Sequence, residues 1–267
     1  MIALIGSVDP LTSHVAAALG RTGVPPVLCV VGQETSLVAV PPEPLVFRIE
    51  HLGTLMRHLS DLEVSTVCFS GKIARPQIDP RAVDPLTAPL VPRLMDALQK
   101  GDDGALRTVM HLFEDAGFVV RSVQDIVPDL LPPAGVLTVA QPSPGQEADS
   151  ARAEEVHRIL AEADIGQGLI VRNNQVLAVE TAPGTDFMLR SVIGLARGAV
   201  FFKAPKRNQD RRADLPVIGP GTVEQAQGSG LAAIVIEARG VMVLERDRSV
   251  AAADRAGIVL WVREPRS

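Results

Sequence analysis

The chain of 267 residues predicts an α/β protein built from two domains. Short β-branched runs alternate with helical patterns through its first half, periodicity then fails in a proline-rich stretch, and the alternation resumes towards Val262. The expected division is a Rossmann-like N-terminal domain over 1–130, a proline-rich linker over 131–145, and a second α/β domain over 146–267.

The first strand is expected at Ile2 to Ile5, followed by a helix near Leu11 to Leu19 and strands at Val27 to Val31 and Leu45 to Ile49. A helix near Leu52 to Leu62 and a strand at Val64 to Phe69 complete the parallel rhythm. Leu86, Leu90, Leu94 and Leu98 share an i, i+4 spacing that predicts a core-facing helical stripe. Another helix is expected from about Asp102 to Ala116, closed by the turn at Gly117. Pro128, Pro132, Pro133, Pro142 and Pro144 then mark the linker or hinge. Beyond it a helix is expected over Ala151 to Ala163, and a hairpin of Leu169 to Val171 with Val176 to Val179 around Asn173 and Asn174.

Net charge is -5 and 46% of residues are hydrophobic, which supports a substantial core and disfavours nucleic acid as a partner. Cys29 and Cys68 each lie inside an apolar run and read as small buried hydrophobes; no histidine or cysteine spacing resembles a zinc site. Met1 leads straight into a strand-like run, no secretory signal is visible, and no window approaches the ~20 apolar residues of a spanning helix. A cytoplasmic protein is expected, with any membrane contact peripheral.

Against this acidic background Lys203, Lys206, Arg207, Arg211 and Arg212 crowd around Asp214, between the apolar runs ending at Phe202 and beginning at Leu215. Cations at the end of a sheet can neutralise a pyrophosphate, and a carboxylate among them can hold a divalent metal or position a water. Metal-assisted attack on a phosphoanhydride suits that mixture.

Other candidates surround the apolar runs. Gly6-Ser7-Val8-Asp9-Pro10 stands where a dinucleotide-binding glycine fingerprint would be, and the fingerprint fails. Ser70-Gly71-Lys72 is not a Walker A motif, although Gly71 and Lys72 follow a strand at the carboxyl end of the expected sheet, where α/β proteins place ligands. Lys100 and Asp102 lie between two helices, where Lys100 suits a phosphate and Asp102 suits an N-cap, a sugar hydroxyl or a metal. Asp164-Ile165-Gly166-Gln167-Gly168 and Glu180-Thr181-Ala182-Pro183-Gly184-Thr185-Asp186 flank the hairpin; Thr185 or Asp186 caps the next helix, or backbone amides and Thr185 at its N-terminus receive phosphate.

Taken in order, these segments resemble the LpxI family of UDP-2,3-diacylglucosamine pyrophosphatases of bacterial lipid A synthesis. The matching pieces are Gly71 with Arg75-Pro76, Lys100-Gly101-Asp102-Asp103, Asp164 to Gly168, Glu180 with Gly184-Thr185-Asp186, Met188-Leu189-Arg190, Lys203-Ala204-Pro205-Lys206, Gln209, Arg212, Asp214-Leu215-Pro216 and Gly219. The resemblance implies a Rossmann-like N-terminal lid, a C-terminal catalytic domain and a substrate cleft between them. It implies hydrolysis of UDP-2,3-diacylglucosamine to UMP and 2,3-diacylglucosamine 1-phosphate with Mg2+ or another divalent cation such as Mn2+. The family's essential acid falls on Asp214, which would bind metal or orient water. Lys203, Lys206 and Arg212 would carry the electrostatics, and Gly71, Lys72, Lys100, Asp102, Gln167, Thr185, Asp186 and Gln209 would contact substrate. Peripheral contact with the inner membrane follows from such a lipid, and the family is compatible with a homodimer.

The first turn departs from the family's Gly-Gly-Gly-x-Leu-Pro pattern, and Lys72 replaces the asparagine expected after Gly71. Two rival readings follow: a noncatalytic nucleotide-sugar or lipid-binding relative, and a pyrophosphatase for another nucleotide sugar.

Overall fold

A computed structural model describes residues 1–23, 25–32, 43–71, 78–99, 102–206, 210–212 and 215–266, with side chains of 102 and 103 left aside. It is an α/β protein that divides into two compact units, Met1–Pro128 with Asp210–Asp214, and Asp129–Gln209 with Leu215–Ser267.

The first unit carries a parallel sheet of β1 (Ile2–Gly6), β2 (Val27–Val31), β3 (Leu45–Phe47), β4 (Thr66–Ser70) and β5 (Val119–Val120) in the order β3-β2-β1-β4-β5. Its helices are α1 (Pro10–Gly20), α2 (Leu52–Asp61), α3 (Val91–Leu98), α4 (Asp102–Asp115) and α5 (Val123–Ile126). The order reverses direction between β1 and β4, so their carboxyl ends form the switch point of this sheet. Cys29 and Cys68 are fully buried here, and burial pushes both thiols up to about 12, which keeps them protonated and inert.

The leucine stripe is only partly a helix face. Pro89 and Pro92 lack an amide donor and fit only first turns, so α3 begins at Val91; Leu94 is buried, while Leu86 precedes the helix and is 48% exposed.

The second unit is built on a mixed sheet in the order β6-β13-β11-β9-β7-β8. These strands are β6 (Gly135–Val136), β7 (Gly168–Arg172), β8 (Gln175–Val179), β9 (Val200–Lys203), β11 (Ala233–Glu237) and β13 (Val259–Arg263). β9, β11 and β13 are parallel, while β7 runs antiparallel to β9, β8 to β7, and β6 to β13. A separate parallel pair, β10 (Val217–Ile218) and β12 (Met242–Val243), receives the chain after the cationic segment. Helix α6 (Pro144–Glu162) covers one face, with Ala153 and Val156 packing on Phe202 and Val235. Helices α7 (Thr185–Ser191), α8 (Pro220–Gly228) and α9 (Arg246–Ala256) contribute to the core on the other face with Ile170, Phe201 and Ile234. Alternate strand residues therefore feed two apolar layers.

The stretch expected as a linker is built into this unit. Gly135 and Val136 pair with Val262 and Trp261, the Leu137 amide donates to the Leu260 carbonyl at 2.8 Å, and Ser143 with Gln146 forms a capping box on α6. Proline is tolerated because Pro132 and Pro133 precede the edge strand, Pro142 lies between it and the helix, and Pro144 stands in the helix's first turn. The hairpin turn places Asn173 and Asn174 at φ 51° and 62°, and their amides donate to the buried Asp149 carboxylate at 3.0 and 2.7 Å.

In the first unit Arg48 grips the buried Glu50 carboxylate through two hydrogen bonds of 3.1 Å, and the Asp79 amide adds a third at 2.8 Å. Burial pushes this carboxyl up, but Arg48 and the backbone donors outweigh it and leave the group at about 2. A lowered folded value gives stability that is complete above the unfolded carboxyl value and lost as pH falls towards about 2. Glu50→Gln is expected to lower stability by roughly 2–3 kcal/mol at neutral pH and to flatten acid sensitivity below about pH 4. Urea denaturation of parent and variant across pH checks this; parallel pH profiles would contradict it.

Candidate functional site

The antiparallel register of β7 with β9 sets Gly168 opposite Lys203, and the Glu180 amide donates to the Gly168 carbonyl at 2.8 Å. One end of the sheet thereby gathers Gly168, Glu180, Lys203, Glu237 and Arg263 at the strand termini. This is the carboxyl end of the three parallel strands, where ligands are received in such sheets.

Lys203 is only 3% exposed, and its ammonium donates to Glu180 Oε2 at 3.1 Å and Oε1 at 3.5 Å. It also donates to Thr185 Oγ1 at 2.5 Å, while that hydroxyl donates to Glu180 Oε1 at 2.8 Å. A buried ammonium needs such partners, since an unpaired charge would carry a desolvation cost of several kcal/mol. The triangle binds the end of β9, the end of the hairpin and the first residue of α7 into one polar core.

The two glycines of the 164–168 segment exist for this approach. A Cβ on Gly166, whose φ is +56°, would stand 2.0 Å from the Glu180 carbonyl oxygen. A Cβ on Gly168 would stand 2.8 Å from Glu180 Oε2 and from the Phe201 ring. Between them the Gln167 carbonyl accepts from the Ala204 amide at 2.9 Å, and Asp164 pairs with Lys206 Nζ at 2.7 Å. The two motifs are thus joined along their length. His157 of α6 is 7% exposed and meets the Phe202 ring edge-on at 5.7 Å; burial holds its imidazole below the usual histidine range despite a hydrogen bond to the Ala204 backbone.

Lys203, Lys206, Gln167 and Thr185 therefore come together in the second unit, and Asp186 stands exposed beside Thr185 on α7. Gly71 and Arg212 belong to the first unit. Arg212 is held by Asp210 through bonds of 3.1 and 2.9 Å and by Glu114 of α4 at 2.8 Å, and the Arg212 hydrogen bond keeps the Asp210 carboxyl below its ordinary range. Gln124 donates to the Arg211 carbonyl at 2.7 Å, so the short cationic segment is fastened to this unit at two points. Asp102 opens α4. Lys72, Lys100, Gln209 and Asp214 lie outside the described residues.

At the switch point of the first unit the turn that departs from the glycine-rich pattern is filled by its own side chains. Asp9 caps α1 by accepting from the Thr12 amide at 2.9 Å, and Ser7 donates to its other oxygen at 2.9 Å. Thr12 donates to the Ser70 carbonyl at 3.0 Å. Gly71, at φ +79°, lies so close that a Cβ there would meet Asp9 Oδ2 at 2.0 Å. A carboxylate at this helix start supplies the negative charge that a phosphate would otherwise bring.

Among the described residues no group of three or more His, Cys, Asp or Glu side chains could hold a metal ion. Sequence reasoning quoted Glu180 only as part of a motif and missed its pairing with Lys203; the signal was the combination of a carboxylate ending one strand and a lysine ending another. His157 carried no such signal.

Family models divide the chain close to Pro128, where the first unit's main segment ends. A family model described as the LpxI N-terminal domain matches residues 1–130, and one described as the LpxI C-terminal domain matches residues 133–261. The chain is 37% identical over 226 residues to a protein of Caulobacter vibrioides named UDP-2,3-diacylglucosamine pyrophosphatase LpxI, a span covering 81% of each chain.

Gly166→Ala is expected to destabilise the second unit by about 1–3 kcal/mol, through the strained φ and the collision with Glu180. Gly228→Ala, at the end of α8 with nothing within 4 Å of its added Cβ, should be neutral or slightly stabilising. Chemical denaturation of the two variants makes the comparison; equal effects would contradict the packing account.

Proposed function

The chain belongs to the LpxI family, and from that premise we propose that it hydrolyses the pyrophosphate of UDP-2,3-diacylglucosamine, giving UMP and 2,3-diacylglucosamine 1-phosphate. The observation that carries this reading is the extended similarity to a relative named for that activity. The gathering of Lys203, Lys206, Gln167, Glu180 and Thr185 at one end of a sheet supports it over a noncatalytic binding relative.

Water adds to one phosphorus, the bridging P–O bond breaks, and the departing phosphate keeps the bonding electrons while the water gives up its protons. The substrate's negative charge opposes this attack, so fixed positive charge at the phosphates lowers the barrier. Lys206 and Arg212 are the cations proposed to meet the phosphates. Lys203, committed to Glu180 and Thr185, fixes the segment that carries Lys206. Asp214 is proposed to hold a divalent cation or to orient the water. Mg2+ commonly takes one or two protein carboxylates together with substrate phosphate oxygens, and Asp214 is the carboxylate proposed to hold it, Glu180 being paired with Lys203. When bound, the cation would neutralise charge developing on the phosphoryl oxygens.

Substrate contacts from Gly71, Lys72, Lys100, Asp102, Gln167, Thr185, Asp186 and Gln209 are part of the same proposal. So are a Rossmann-like lid formed by the N-terminal domain, a cleft that closes on substrate, and a homodimer. Among the described residues no helix is long and apolar enough to cross a membrane. The proposed setting is the cytoplasm, with peripheral contact at the inner membrane where a two-tailed lipid partitions.

The purified protein should release UMP from UDP-2,3-diacylglucosamine when Mg2+ is present, lose that activity on chelation, and regain it with Mg2+ or Mn2+. Asp214→Ala should lower turnover on the order of 10³-fold while the protein remains folded. Absence of release by a folded parent that binds the substrate would overturn the hydrolase reading. Equal turnover of UDP-N-acetylglucosamine would move the assignment to a general nucleotide-sugar pyrophosphatase.

A further inference from the structure

Helix α7 and the turn after it place three large apolar side chains in solvent: Phe187 at 53%, Ile193 at 58% and Leu195 at 64% exposure. Three exposed hydrophobes within nine residues differ from the scattered single ones that any surface carries.

The surrounding backbone holds them outward. Met188, Leu189, Val192 and Ala196 are buried at 2%, 0%, 3% and 0%, so each exposed residue neighbours an anchor. Gly194 takes φ +81° between Ile193 and Leu195, which turns the chain where a side chain would be strained. The Arg172 guanidinium donates to the carbonyls of Leu195 at 2.9 Å and Arg197 at 3.3 Å, and the Gly198 amide donates to the Gly230 carbonyl at 2.8 Å. Such a turn keeps its apolar residues exposed by construction, and collapse onto the core is closed to it.

Charge narrows the occupant. Arg190 and Arg197 are exposed within this segment and Arg172 lies against it, with Asp186 as the segment's one carboxylate, in a chain whose net charge is -5. A second copy seated on this surface about a two-fold axis would set one arginine-bearing patch against another of the same charge. An anionic bilayer instead offers phosphates to the guanidinium groups and an acyl boundary to the apolar side chains.

We infer that the surface of Phe187, Ile193 and Leu195, flanked by Arg190 and Arg197, docks the protein on an anionic lipid bilayer. The inference specifies the face behind the proposed membrane contact and rests on that reading for its use, since a diacylated substrate is delivered from such a surface. α7 links the two functions directly: Thr185 at its start belongs to the Lys203–Glu180 network, while Phe187 and Arg190 face solvent.

Sedimentation of the full chain with phosphatidylcholine vesicles, and with mixed phosphatidylcholine–phosphatidylglycerol vesicles, tests it. The parent should bind the mixed vesicles and bind neutral ones at least about tenfold more weakly. Both Ile193→Asp/Leu195→Asp and Arg190→Glu/Arg197→Glu should weaken binding about tenfold at an unchanged melting temperature. Turnover of detergent-dispersed substrate by the apolar variant should match the parent. Binding that ignores both variants, no binding to either vesicle, or a dimer in solution that the same aspartates dissolve would each overturn the inference. Vesicle binding by a parent that hydrolyses nothing would leave the docking surface standing and remove the hydrolase reading.

Discussion

A lysine ammonium sealed inside a protein must be paired, and the pairing of Lys203 with Glu180 is the constraint around which the second unit's site is arranged. The ammonium ends β9, the carboxylate follows β8, and the Thr185 hydroxyl that closes the triangle opens α7. For Glu180 to reach this position the chain before β7 must pass against its backbone, which only glycine at 166 and 168 permits. The same crossing aligns Gln167 with Ala204 and Asp164 with Lys206. Three segments far apart in sequence thus share one electrostatic reason for their residue types.

The first unit solves a related problem differently. Its switch point, where a nucleotide-binding sheet would leave room for a phosphate, is occupied by Asp9, Ser7 and Thr12 in mutual hydrogen bonds. A carboxylate in that place repels phosphate and favours ligands that offer donors. The departure from a glycine-rich turn is therefore a change in the charge presented at the carboxyl end of β1, with Gly71 retained because Asp9 leaves no space for a side chain.

Much of this was legible in the sequence where a local rule governs. Val27–Val31 reads as a strand because its apolar residues, valine at both ends, form an uninterrupted run, and the Asn173-Asn174 hairpin because asparagine tolerates positive φ. The motif around 164–168 was visible as a pattern, but the reason for its glycines was not, because it depends on a residue twelve or more positions away. Burial of Lys203 was equally hidden: in sequence a lysine with Lys206 and Arg207 close behind it reads as a cation for a pyrophosphate, and its carboxylate partner lies 23 positions away. The leucine row misled because periodicity was counted through Pro89, and the proline-rich stretch misled because an edge strand of two residues leaves almost no periodic signal. The pairings of Arg212 with Glu114 and of the Arg211 carbonyl with Gln124 were hidden as well, since they join residues 98 and 87 positions apart.

The most direct measurement of the central claim is a double-mutant cycle on Lys203 and Glu180, with stability read by urea denaturation of Lys203→Met, Glu180→Met and the pair. Each single change strands a buried charge and should cost about 3–5 kcal/mol, while the double variant should cost well under the sum, with a coupling of at least about 2 kcal/mol. Additive effects, or single variants as stable as the parent, would contradict the account.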